Sequence, residues 1–202
     1  MAEQIKVFNC LITGVGGQGT VLASKLIALT AIKKGFKVRT TETIGMAQRG
    51  GSVVSHVRIG EDVFSPIIPS AAADLMIAFE PSEAARHLVY LSEQGFLIIC
   101  DNAIPPSGAG LISGTAEYNP DDVIKYLQKV IKKLSVISCK KLDLRNPKTL
   151  NVALLGAAAE SGIFPFDKEA IMETIPEILP EKFRDINLEA YKKGREVFRG
   201  KN

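Results

Sequence analysis

The stretch Lys6-Val7-Phe8-Asn9-Cys10-Leu11-Ile12-Thr13-Gly14-Val15-Gly16-Gly17-Gln18-Gly19-Thr20 decides the fold. A short apolar run ending at glycine predicts a buried strand over 6–13. Gly14, Gly16 and Gly19 then satisfy G-x-G-x-x-G. The segment 20–34 behind them carries Leu22, Leu26, Leu29 and Ile32 near helical spacing, with Gly35 as the stop. Phe36 to Thr41 reads as a second strand, completing a β-loop-α-β unit whose two strands run parallel through a right-handed crossover. Glycines in such a turn permit positive φ and close approach of a ligand to the backbone. The helix behind them offers unpaired N–H groups to a phosphate.

Further along, Ser52 to Ile59 alternates, with Val53, Ser55, Val57 and Ile59 on one face, and Gly60-Glu61-Asp62 predicts a hairpin into Val63-Phe64-Ser65. Asp74 to Phe79 and Phe96 to Cys100 are buried strands, separated by a helix from Pro81 to about residue 93. Ile104 to Gly110 is a Pro/Gly connector, with a short extended piece over 111–115. Asn119-Pro120-Asp121-Asp122 is a helix start with cap, proline and acids in order, and Val123, Leu127, Val130 and Leu134 mark the inner face. A strand over 135–139 follows, then a helix from Asn146-Pro147 to Gly162. A helix capped by Asp167 is broken by Pro176, and a last amphipathic helix starts at Leu188. Strands alternating with helices predict a three-layer α/β/α fold on a mostly parallel sheet, mixed where the hairpin enters, with a Rossmann-like start and C-terminal helices. The expected organisation is a single domain over 1–202, with 163–202 a helical C-terminal extension.

The composition fits a soluble globular chain: 202 residues, 46% apolar, 23% charged, net charge +3. No tryptophan and 6% aromatics weigh against a module that stacks nucleic-acid bases. The polar N-terminus and the lack of any apolar run near ~18 residues predict a cytoplasmic protein without membrane contact. The basic residues of 181–202 read as a solvated helix face. Three cysteines occur without a C-x-x-C, so no iron–sulfur or zinc spacing is present. Cys10 and Cys100 lie in apolar runs, where a buried reduced thiol is expected, in keeping with a reducing compartment.

The glycine loop by itself leaves three readings open: a dinucleotide site with Glu42 as ribose ligand, another phosphate-bearing ligand, or a turn that simply packs well. No nucleophile elbow, no G-x-x-x-x-G-K-[ST] loop and no G-D-G with a downstream asparagine is present. His56 falls in a strand and His87 in a helix, both expected to be structural. No catalytic residue and no metal ligand is assigned.

Five ordered motifs then carry a resemblance. They are Gly14-Val15-Gly16-Gly17-Gln18-Gly19-Thr20, Gly45-Met46-Ala47-Gln48-Arg49-Gly50-Gly51-Ser52, Ser65-Pro66, Ala78-Phe79-Glu80-Pro81 and Asn151-Val152-Ala153-Leu154-Leu155-Gly156-Ala157. Together they resemble the gamma-type subunit of 2-oxoacid:ferredoxin oxidoreductases. The middle loop lacks the tyrosine and glutamate of the pyruvate and 2-ketoisovalerate branch and is similar to the indolepyruvate branch. The resemblance implies a subunit inactive alone, serving oxidative decarboxylation of an arylpyruvate to an aryl-acetyl-CoA with reduction of ferredoxin. It implies that a larger partner carries thiamine diphosphate, Mg and iron–sulfur clusters. Coenzyme A is then expected at a shared site, lined here by Gly14, Gly16, Gly17, Gln18, Gly19, Thr20, Glu42, Arg49, Gly50 and Gly51. The alternatives are the gamma subunit of a pyruvate or 2-ketoisovalerate enzyme, or an autonomous dinucleotide-binding oxidoreductase.

Overall fold

The structure, a computed structural model, describes residues 6–44, 51–104 and 118–200. Strand β1 (Phe8–Val15) is buried along its whole length, as a strand with neighbours on both edges and helices on both faces must be. Helix α1 (Thr20–Lys33) follows the glycine turn. The chain then forms β2 (Val38–Ile44) and β3 (Ser52–Ile59), and next β4 (Ala73–Ala78), the short helix α2 (Pro81–Arg86) and β5 (Leu91–Cys100). Helix α3 (Pro120–Val130), β6 (Lys133–Ile137), the single turn α4 (Cys139–Leu142), α5 (Leu150–Glu160), α6 (Ala170–Ile178) and α7 (Glu181–Arg199) complete it.

The strand order is β2-β3-β1-β4-β5-β6. From β1 to β6 the pairs are parallel, whereas β3 runs antiparallel to both β1 and β2. The sheet is therefore mixed, and the layers are those expected. The expected hairpin is not formed: residues 63–65 are not a strand, and β3 instead wedges between β1 and β2. The reason lies in burial. Apart from Ser52 and Arg58, β3 is buried on both faces, so it takes a central place with two partners rather than an edge with one.

Because side chains of a strand alternate, β1 feeds two cores. Cys10 and Ile12 join Val57, Ile59, Leu75, Ile77 and Ile98 under α1, α5 and α7. Leu11 joins Val54, Met76, Leu97 and Ile99 under α2 and α3. Helical spacing misjudged two inner faces. In α1, Ala23, Leu26, Ile27 and Ala31 are buried while Leu29 and Ile32 are exposed. In α3 the face is Ile124 and Leu127, Val130 is exposed, and Leu134 belongs to β6. The helix from Pro81 ends at Arg86, not near 93, because β5 begins at Leu91 and pairs with Ala73. Pro176 does not break α6 but sits in its last turns, and α7 starts at Glu181, ahead of Leu188. The connector and extended piece expected over 105–117 lie outside the described residues. Among the described residues no helix is long and apolar enough to cross a membrane.

Helices α5 and α7 touch backbone to backbone. A Cβ added at Gly156 would stand 2.0 Å from Tyr191 O, and one at Gly194 would stand 1.8 Å from Ala153 O. Neither neighbour is a side chain that could swing away. Gly156→Ala and Gly194→Ala are each expected to cost about 3 kcal/mol by overpacking, read from urea denaturation; an unchanged midpoint would contradict this packing.

The same helix pair is closed by ions. Arg195 Nε and Arg199 Nε each donate to the Glu160 carboxylate at 2.7 Å, and Arg195 Nη2 reaches Glu169 at 3.0 Å. Hydrogen bonds from Arg199 and, against the upward pull of burial, from Arg195 hold the Glu160 carboxyl down to about 2. A depressed carboxyl stabilises the fold above its ordinary value of 4.5 and loses that contribution as pH falls toward about 2. Glu160→Gln should therefore lower the melting temperature at neutral pH and shrink its fall across that acid window. Parallel pH profiles for the two proteins would refute it.

Candidate functional site at the carboxyl edge of the sheet

The glycine turn is held by its own Gln18 and by groups far along the chain. Val15 N donates to Gln18 Oε1 at 2.7 Å, and Gln18 Nε2 donates to Phe79 O at 3.1 Å. Phe79 N in turn donates to Thr13 O at 2.9 Å. Gln18 thus ties the end of β1 to the end of β4, and its amide is engaged within the chain at both ends. Gly14 must lack a side chain because a Cβ there would meet Gln18 Oε1 at 2.7 Å and Phe79 Cβ at 3.2 Å. Gly19 has φ +83 and sits against Asn151, whose Nδ2 donates to Gly19 O at 3.1 Å. The late motif residue Asn151 is thereby explained as a brace of the glycine turn. Gly17, at φ +98, faces open space among the described residues. Helix α1 begins at Thr20 with no side-chain cap on its N-terminus, so its first N–H groups point toward the same opening.

Since β3 is antiparallel to β1, its first residues lie at the carboxyl end of β1. Ser52 pairs with Val15, and Gly16 N donates to Gly51 O at 2.8 Å. Strand β2 ends at Ile44, opposite Val53, on this same edge. Gly14, Gly16, Gly17, Gln18, Gly19, Thr20 and Gly51 are therefore brought together. Arg49 and Gly50 lie outside the described residues. Glu42 stands apart: β3 separates its strand from β1, and its carboxylate accepts a hydrogen bond from Ser24 Oγ of α1 at 3.1 Å.

Beside this turn lies a cluster that the sequence reading did not assemble. Ser52 Oγ donates to the buried Glu83 carboxylate and meets His87 Nε2 at 2.9 Å. Arg86 Nε donates to Glu83 at 3.0 Å, and His87 Nε2 lies 3.5 Å from it. Burial pulls the Glu83 carboxyl upward, but hydrogen bonds from His87, Ser52 and Arg86 outweigh it and hold the group below the usual range. The three groups do not form a nucleophilic relay. A relay needs the carboxylate on the far ring nitrogen, whereas Glu83 and Ser52 meet the same Nε2. Next to them Glu80 is fully buried and takes hydrogen bonds from Glu83 N at 3.0 Å, Ser82 Oγ and Tyr118 Oη. Burial, then the Glu80 carboxylate, push the Tyr118 phenol upward. Glu80 and Ser52 were legible as parts of motifs. Glu83 was not, because its partners are 31 residues away or on its own helix.

His56 is structural: buried, its Nδ1 accepts from Ile68 N at 3.2 Å, and burial with the nearby His87 lowers its imidazole. A groove of about 690 Å³ runs between Phe96, Leu134 and Phe198. It follows the amino-terminal half of β6, away from the glycine turn. The cysteines depart from expectation. Cys10 is a buried free thiol pushed upward by burial and Asp74, but Cys100 is not: it forms a disulfide with Cys139. The cause is register. Cys100 pairs with Ile137 across β5 and β6, which sets residue 139 just beyond the strand end.

The turn's internal bonds give a test. Gln18→Ala removes an acceptor and a donor at a half-buried site and should cost about 1–3 kcal/mol. Urea unfolding of the variant beside the parent measures it, and equal stability would mean that the turn holds without the amide.

Fold and site define an α/β domain whose sheet carries a braced glycine turn at its carboxyl edge, with no catalytic relay among the described residues. The family model for pyruvate ferredoxin/flavodoxin oxidoreductase matches residues 9–197, and the chain belongs to that family. It is 38% identical over 197 residues to the indolepyruvate oxidoreductase subunit IorB of Thermococcus kodakarensis, covering 94% of this chain and 95% of that one. Against the pyruvate/ketoisovalerate oxidoreductases common subunit gamma of Pyrococcus furiosus identity is 28%, covering 92% and 95%. The family and branch read from the motifs are borne out. Among solved structures, the gamma subunit of a keto/oxoacid ferredoxin oxidoreductase from Geobacter sulfurreducens matches with TM-score 0.70 at 21% identity, covering 97% of this chain and 98% of that one. The 2-oxoglutarate:ferredoxin oxidoreductase of Magnetococcus marinus, solved with 2-oxoglutarate, coenzyme A and succinyl-CoA, matches with TM-score 0.71 at 18% identity. The match covers 97% of this chain and 32% of that longer one. These two likenesses speak for the fold.

Proposed function

We propose that the chain is the non-thiamine, non-cluster subunit of an indolepyruvate-type ferredoxin oxidoreductase. In this reading it completes the coenzyme A side of a site shared with a larger partner subunit. Its kinship to the IorB subunit supports the assignment of substrate class, an arylpyruvate. The single observation that carries the site is the Gly16–Gly51 hydrogen bond, which joins the glycine turn to the end of the segment containing Arg49 and Gly50. In the partner, thiamine diphosphate supplies decarboxylation chemistry and the clusters accept electrons for ferredoxin. This chain's part is binding. Uncapped N–H groups at the start of α1 face a phosphate, and Gly17 leaves room for it. The Arg49 guanidinium pairs with the same anion through its planar fork. The carbon chemistry needs no nucleophile from this chain, in keeping with the geometry of Ser52, Glu83 and His87.

Arg49→Ala in the assembled complex should raise the KM for coenzyme A about tenfold, the worth of one charge-assisted hydrogen bond, with kcat largely kept. Co-purification of the two subunits checks assembly. Unchanged kinetics would remove Arg49 from the ligand. The competing reading, an autonomous dinucleotide-binding oxidoreductase, draws on Glu42 as ribose ligand. It is disfavoured by the strand that separates Glu42 from β1. Titration of the isolated chain with NAD(H) should show no binding, and tight binding would favour that reading over ours.

A further inference from the structure

The Cys100–Cys139 bond lies on the same edge of the sheet as the glycine turn, at the ends of β5 and β6. A crosslink stabilises mainly by restricting the unfolded chain, and its loss leaves the folded strands to be held by their own pairing. Here the crosslinked strands are already held by ladder pairing from Phe96↔Lys133 to Cys100↔Ile137. The Cα atoms lie 6.6 Å apart, within the span that a disulfide bridges, so the bond is made with the ladder in place. The two sulfurs are unequally placed. Cys100 is fully buried in the core beneath α5. Cys139 opens α4 and is only half-buried, with its N–H donating to Asp101 Oδ1 at 2.7 Å. The third cysteine, Cys10, is buried on β1, with β4 between its strand and β5, and does not compete for either partner.

We infer that Cys100 and Cys139 form a reversible thiol–disulfide site, oxidised by a peroxide and reduced by a small dithiol, with Cys139 as the sulfur that meets both reagents. The half-buried position of Cys139 makes it the point of attack, since disulfides are exchanged at the sulfur that a thiolate can reach. In the oxidative direction the Cys139 thiolate attacks one peroxide oxygen and the O–O bond breaks. The second oxygen leaves as hydroxide and takes a proton to become water, leaving a sulfenic acid on Cys139. The Cys100 sulfur then attacks the Cys139 sulfur, the S–O bond breaks, and the hydroxyl leaves as a second water as the S–S bond closes. Two thiols have lost two electrons and two protons, and one peroxide has become two waters. In the reverse direction a dithiol attacks Cys139, giving a mixed disulfide and a free Cys100 thiol. The second thiol of the reagent then releases Cys139. The oxidised state ties the first residue of α4 to the end of β5, whereas the reduced state leaves α4 attached through its backbone and the Asp101 contact.

The test uses the full chain, reduced and then treated with one equivalent of hydrogen peroxide, denatured, alkylated and read by peptide mass spectrometry. After oxidation only Cys10 should carry the alkyl group, and a peptide should join Cys100 to Cys139. A dithiol added to the native protein should return all three cysteines to the alkylatable state. In Cys100→Ser a sulfenic-acid trap should label Cys139, while in Cys139→Ser it should leave Cys100 unlabelled. Three alkylated cysteines after peroxide would overturn the inference. So would a bond that survives dithiol treatment of the native protein, or labelling of Cys100 when Cys139 is absent. If Cys100→Ser does not fold, the parent's oxidation and reduction decide the matter alone.

Discussion

One main-chain hydrogen bond, from Gly16 N to Gly51 O at 2.8 Å, joins the glycine turn to the start of β3. It exists because β3 is antiparallel to β1 and starts where β1 ends. In a plain doubly wound sheet the neighbour of β1 would be parallel, and its start would lie at the opposite edge of the sheet. The antiparallel strand brings Gly51 and Ser52 to the carboxyl edge and at the same time moves β2, with Glu42, one strand outward. A sequence pattern shared with dinucleotide folds is thus placed in a different surrounding.

Around that bond the turn is held by contacts reaching across the whole chain. Gln18 fastens it to Phe79, and Asn151 fastens Gly19 from α5. Helix α5 is in turn locked to α7 by facing glycines and by Glu160 with its arginines. The C-terminal helices therefore reach the site through packing, and Tyr191 and Phe198 belong to the same core as Ile12 of β1. The motif spacing in the sequence reflects these braces as much as any ligand.

Most strands were legible in the sequence because a buried strand is a short apolar run ended by glycine or proline, and that signal is local. The pairing of β3 was not legible, since a strand buried on both faces carries no mark of which neighbours it has. The inner face of α1 was misread because alanines and small polar residues share it with Leu26 and Ile27, leaving Leu29 and Ile32 to solvent; spacing of large residues alone does not mark a face that small residues help to fill. At the site, the glycines and Gly51 were found through motifs. The cluster of Ser52, Glu83 and His87 and the bond between Cys100 and Cys139 depend on strand register and escaped notice. Neither pair of partners shares a local pattern.

We propose that this turn, joined to Gly51, receives coenzyme A once the partner subunit is present. Hydrogen exchange of the assembled complex, measured with and without coenzyme A, tests it most directly. Exchange at the amides of Gly16 to Leu22 is expected to slow on adding coenzyme A, with no such change in the isolated chain given NAD(H). Unaltered exchange across that segment in a complex saturated with coenzyme A would contradict it.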